Sequence, residues 1–146
     1  MESAAEEAVT SRVVAMSFLL DSDTCSAYLK GHPKVGNQCV LHHGSLSLSA
    51  ISVGELRTWT NRKNARVKTK QSFTLFLNDV EIIPVERTIA ERFGIERARL
   101  FDLGTAIAEM DLFIAATALV HDLTLVTHNL SDYLRVPGLR LVDWLE

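Results

Sequence analysis

The stretch MDLFIAATALVHDLTLVTHNLSD, residues 110–132, decides the fold. It opens on Met110 and an acid, Asp111, runs without a charge over residues 112–120, and then enters a short segment of leucine and β-branched residues at 123–127. A helix over 111–121 rises roughly 16 Å, and a strand over 123–127 covers about the same distance. A tight turn at Asp122 therefore carries the chain down and straight back. Asp111 is predicted to finish level with Asn129 and Asp132, on one edge of a sheet.

Working outward, residues 87–102 read as a charged amphipathic helix with Ile89, Phe93, Ile95 and Leu100 inward. Residues 80–85 (VEIIPV) form a short strand, and 66–78 a helix carrying Val67, Phe73, Leu75, Phe76 and Leu77. A helix beginning at Ser52-Val53-Gly54-Glu55 runs to about residue 64, and LSLS at 46–49 alternates as a weak strand. Residues 35–44 are poorly patterned and compatible with a helix. Residues 23–30 form a helix stopped by Gly31-His32-Pro33. Residues 13–20 make an apolar run, the pattern of a strand buried on both faces. Residues 1–12 are small, acidic and aperiodic, a loose tail, with Met16 a second possible start. Beyond the opening stretch, Val136-Pro137-Gly138 turns the chain into a last strand over 139–142, and Trp144 covers an end. Strands alternating with helices give an α/β fold with a mostly parallel sheet, one domain over 13–146.

Each helix that follows a strand in such a fold starts at the strand's carboxyl edge, where open α/β sheets bind ligands. Asp21, Glu55, Asp111 and the Asn129/Asp132 loop should therefore converge on one rim. Each acid also has an innocent reading. Ser52-x-x-Glu55 is a capping box, and Asp111 is an ordinary acid of a helix's first turn. Asp21, ending a buried strand, loses solvation without an obvious partner. Together, like charges at one rim need a compensating cation. Oxygen ligands without clustered His or Cys suit Mg²⁺ or Mn²⁺ rather than zinc.

The whole chain has 146 residues, 47% hydrophobic and 23% charged, with a net charge of −3, values ordinary for a globular domain. Its apolar runs are far shorter than the ~20 residues of a membrane span. Glu2, Glu6 and Glu7 oppose a secretory signal, and Cys25 and Cys39 form no CxxC pair. A reduced, cytoplasmic setting is the expectation. No acid lies between Arg57 and Asn78, while Arg57, Arg62, Lys63, Arg66, Lys68 and Lys70 are basic. That stretch is either a solvated helix face or a phosphate-facing patch. Trp59 within it can stack on a base or pack in the core. His128 falls on the rim, Cys25 in the core, and the adjacent His42 and His43 at the surface or core.

LLDSDTCSAYLKG at 19–31, SAISVGEL at 49–56 and MDLFIAATALVHDLTLVTHNLSDYLRVPGLRLVDW at 110–144 resemble the PIN-domain endoribonucleases, specifically the VapC-type toxins of VapBC toxin–antitoxin modules. The resemblance implies a PIN-like α/β/α sandwich with a mostly parallel central sheet flanked by helices. It implies a metal-dependent cytoplasmic RNase that cleaves RNA phosphodiester bonds, a homodimer without a membrane, and a VapB-type antitoxin that blocks the site. The family's first three acids match Asp21, Glu55 and Asp111. Its fourth position falls on Asn129, with Asp132 three residues on, and either one orients water or metal. Ser22 and Thr127 would be minor polar contacts, and the 57–70 stretch would hold the RNA backbone. A non-catalytic PIN-like RNA- or protein-binding domain is the alternative. An aspartyl-phosphate phosphatase with Asp21 as nucleophile fits less well, because no lysine follows Lys70.

Overall fold

Phe18, Leu19 and Leu20 are all buried, as expected of a strand covered by helices on both faces. In the computed structural model, which describes residues 17–146, they form β1 (Phe18–Leu20) at the centre of a five-stranded sheet. Its other strands are β2 (Leu46–Ser49), β3 (Glu81–Ile83), β4 (Thr124–Val126) and β5 (Arg140–Val142). The order is β3-β2-β1-β4-β5 and every pairing is parallel. The predicted acidic tail, the start at Met16 and the first part of the strand predicted over 13–20 lie outside the described residues.

Helices cover both faces: α1 (Ser22–Leu29), α2 (Pro33–Leu41), α3 (Ala50–Thr60), α4 (Val67–Asp79), α5 (Arg87–Asp102), α6 (Glu109–His121) and the short α7 (Leu130–Tyr133). Alternation along β1 divides the interior. Leu19 joins Leu125, Ile89, Leu100, Leu112 and Ile114 under α5 and α6. Phe18 and Leu20 join Leu48, Cys25, Phe73 and Val126 under α1, α2 and α4. The predicted α/β/α sandwich is the observed architecture.

The reversal at Asp122 is as predicted. This residue caps α6 in the left-handed conformation, φ 54°. Arg140 steadies it by donating to its carboxylate at 2.6 Å and to its carbonyl at 2.7 Å. Of the predicted inward set of α5, Ile89 and Leu100 are buried and Phe93 packs against the same core, while Ile95 does not face inward. Ile95 is exposed, and Glu96 is buried in its place, on the face shared with Ile89 and Leu100. The burial is tolerated because Arg92 and Arg99 donate to its two oxygens at 3.0 and 2.7 Å. On α4, Phe73 and Phe76 point inward, while Val67 and Leu75 are exposed. The predicted Asn129/Asp132 loop contains the single turn of α7.

Candidate active site

The order of the sheet reverses direction at β1, so β2 and β4 lie on either side of it. The crevice above such a switch point is where open α/β sheets place their ligands. Asp21 follows β1 directly, and its amide donates to the Val126 carbonyl of β4 at 3.0 Å. It is also the N-cap of α1, its Oδ1 accepting from the Thr24 amide at 2.8 Å. The Thr24 hydroxyl donates to the Val126 carbonyl, which ties the start of α1 to β4. Burial raises the Asp21 carboxyl above its ordinary pKa, and Thr127 and Thr24 beside it offset part of that rise.

Glu55 does not form the capping box that its spacing from Ser52 predicts. Strand β2 ends at Ser49, so Ser49 is the N-cap and its hydroxyl accepts from the Ile51 amide at 3.1 Å. Ser52 is left inside α3 with a buried hydroxyl that has no partner. Glu55, in the second turn, instead accepts a 2.6 Å hydrogen bond from the Ser22 hydroxyl of α1. Its carboxylate is drawn towards β1.

Asp111 lies in the first turn of α6, where Ala108 is the N-cap and makes no side-chain cap. Half-burial raises its carboxyl above the usual range. The charge of Glu55 raises it next, and Asp21 and Asp23 raise it further, while the Tyr133 hydroxyl lowers it. Charges from two other chain-distant elements, on Glu55 and Asp21, thus reach Asp111 at the rim. Asn129 and Asp132 meet each other, Asn129 Nδ2 donating to Asp132 Oδ2 at 3.0 Å, while the Asn129 amide donates to the Thr127 hydroxyl. Among the described residues, no three His, Cys, Asp or Glu side chains form a ready-made metal-ligand group.

The basic stretch lies elsewhere. Strand β2 delivers the start of α3 to the rim, and α3 runs away from it. Arg62 thus lies roughly 10 Å past Glu55 along the chain's rise. Arg57 donates to the Thr74 hydroxyl of α4 at 3.1 Å and stacks over Phe73, and Lys70 donates to Asn61. Arg62, Lys63, Arg66 and Lys68 are exposed. Arg66 and Lys68 border a groove of about 1070 Å³ between the α1–α2 turn and α4, with Tyr28, Trp59 and Phe76 in its lining and none of the rim acids. Trp59 is half-buried under Lys30. His128 is exposed on the rim, its Nδ1 2.8 Å from Asp143 Oδ2, and this contact raises its pKa.

Ser22, expected as a minor polar contact, holds Glu55. Sequence reasoning missed two contributors: Asp23 adds its charge to Asp21 and Asp111, and the buried Tyr133 sits against Asp111. Asp23 was legible as a neighbour of Asp21. Tyr133 was not, because its contact depends on α7.

Residues 18–139 match the PIN domain family model. The chain belongs to the PIN domain family. Two curated relatives cover it closely. Ribonuclease VapC2 of Rickettsia felis is 26% identical over 132 residues, spanning 88% of this chain and 98% of its own. The tRNA(fMet)-specific endonuclease VapC of Salmonella typhimurium is 28% identical over 130 residues, with the same coverage. Among solved structures, the DNA-bound VapBC of Salmonella typhimurium superposes with a TM-score of 0.83 at 28% identity, over 88% of this chain and 98% of its own. Asp21, Glu55 and Asp111 offer carboxylate oxygens, a donor set that suits a hard cation.

Proposed function

We propose that this PIN domain is an endoribonuclease, the toxin of a type II toxin–antitoxin pair, cleaving RNA phosphodiester bonds at a divalent-cation site formed by Asp21, Glu55 and Asp111. One observation carries the reading. Carboxylates from three separate elements are gathered at the switch point of the sheet, and Glu55 is pulled there by Ser22 rather than spent on a helix cap. The relatives called ribonuclease and tRNA(fMet)-specific endonuclease, aligned over nearly their full lengths, support the same chemistry.

Mg²⁺ fits these residues, since it keeps several waters and needs only one or two carboxylates. That also accords with acids that approach without enclosing a complete ligand set. The chemistry such an ion supplies is activation of a water and neutralisation of charge at phosphorus. The chain's own residues prepare the site. The Thr24 amide fixes one oxygen of Asp21 and the Ser22 hydroxyl one oxygen of Glu55, which sets the direction of both carboxylates. Asn129 or Asp132, bonded to each other, would orient water or the cation. Exposed Arg62, Lys63, Arg66 and Lys68 give the RNA backbone cations to follow.

A VapB-type antitoxin is the proposed partner, supported by the VapBC assemblies among the structural neighbours. A homodimer is supported by Phe101, Leu103 and Met110, large apolar side chains exposed around the α5–α6 connection. Buried free Cys25 and Cys39 accord with a reducing, cytoplasmic setting. Among the described residues no helix is long and apolar enough to cross a membrane.

The test is cleavage of RNA by the purified chain with Mg²⁺ and with EDTA, beside Asp111→Asn. Mg²⁺-dependent cleavage lost in the variant is expected. A folded wild type that binds RNA without cutting it would favour the second reading, a non-catalytic binding domain, to which the incomplete ligand set lends its one argument.

A further inference from the structure

Tyr133 is the largest fully buried side chain of the described residues, and its hydroxyl has no hydrogen-bond partner of ordinary geometry. Phenylalanine would fill the same space in the core cluster that Tyr133 shares with Leu112, Ala115 and Val136, without burying an unpaired polar atom. The hydroxyl is therefore conspicuous, and its surroundings give it a use. It lies against Asp111, with Asp21 and Glu55 the further charges acting on it. Among the described residues no side chain makes a hydrogen bond of ordinary geometry to the Asp111 carboxylate. The ring cannot swing away, because α7 is anchored immediately after β4 by the Asn129 amide on the Thr127 hydroxyl and by Asn129 on Asp132. Only the O–H bond is left to turn, and it turns beside a carboxylate.

We propose that Tyr133 is a positioning residue of this site, its hydroxyl donating to the Asp111 carboxylate and holding it in the orientation that faces Asp21 and Glu55. The inference rests on the divalent-cation reading above. The proton stays on the tyrosine throughout. Its part is to fix the direction of one ligand's lone pairs, as outer partners of metal ligands do.

The experiment compares wild type, Tyr133→Phe, Asp111→Asn and the double variant. Mg²⁺ binding is followed by calorimetry, RNA cleavage by kcat and KM, and folding by thermal melting. Tyr133→Phe is expected to keep or raise the melting temperature, to weaken Mg²⁺ binding about 10-fold, and to lower kcat about 10-fold or more with KM for RNA unchanged. In the Asp111→Asn background the same substitution is expected to add no further loss of affinity, since the hydroxyl acts through Asp111. Wild-type Mg²⁺ affinity and kcat in Tyr133→Phe would overturn the inference while leaving the nuclease reading intact, whatever the melting temperature does. Full additivity in the double variant would overturn it too. A wild type that binds no Mg²⁺ would overturn both.

Discussion

At the scale of single residues, Asp21 stands where asparagine would serve the fold equally well. Asn and Asp are comparable N-caps, and Asp21 is held above its ordinary pKa by burial. A carboxyl whose folded pKa exceeds its unfolded one keeps its proton longer in the native state. Stability then falls as pH climbs from the unfolded value through the folded one, and stays reduced above it. Asp21→Asn removes that loss. Its melting temperature in EDTA is expected to match wild type near about pH 4 and to exceed it near about pH 8, while cleavage is abolished. A lower melting temperature at both would show a carboxylate retained for structure. His128 has the opposite sign. Asp143 raises its pKa, so the pair stabilises the chain fully below the unfolded histidine value, a contribution lost as pH rises through the raised folded one. NMR titration of His128 in Asp143→Asn is expected to return it towards about 6.5. Glu55 shows the limit of reading residues singly. Ser52-x-x-Glu55 has the spacing of a cap, and only the end of β2 at Ser49 reveals that this cap is not used.

At the scale of elements, α6 was legible because an uncharged run bounded by Asp111 and Asp122 admits one buried helix and one sharp turn. Its core positions should behave accordingly. Ile114→Ala, at a fully buried site beneath the sheet, is expected to cost about 2–5 kcal/mol in denaturant unfolding, whereas Ile95→Ala on exposed α5 should cost under about 0.5 kcal/mol. Equal costs would mean the packing of α5 is misassigned. The burial of Glu96 in place of Ile95 on α5 was hidden because Glu96 becomes a core residue only when Arg92 and Arg99 occupy both its oxygens, a compensation that hydrophobic periodicity does not register. The single turn of α7 was hidden for a related reason. Four residues carry too little periodicity to announce a helix, and with α7 went the position of Tyr133.

At the scale of the whole molecule, the convergence of Asp21, Glu55 and Asp111 followed from connectivity: strands alternating with helices bring every strand end and helix start to one edge. The order of the strands was not legible, since parallel strands of similar composition permit several arrangements. It is this order, with β2 and β4 flanking β1, that puts Glu55 and Asp111 beside Asp21. The same architecture sends α3 away from the rim and leaves the exposed cations of the α3–α4 turn at a distance from the acids, so RNA reaching both must be an extended or folded ligand rather than a single nucleotide. Anomalous scattering from a crystal of the chain soaked in Mn²⁺ puts the central claim to the most direct test. A peak is expected at the carboxyl ends of β1 and β2, within coordinating distance of Asp21 and of Glu55 or Asp111, and it is expected to be lost in Asp111→Asn. Mn²⁺ bound elsewhere, with this rim empty, would contradict it.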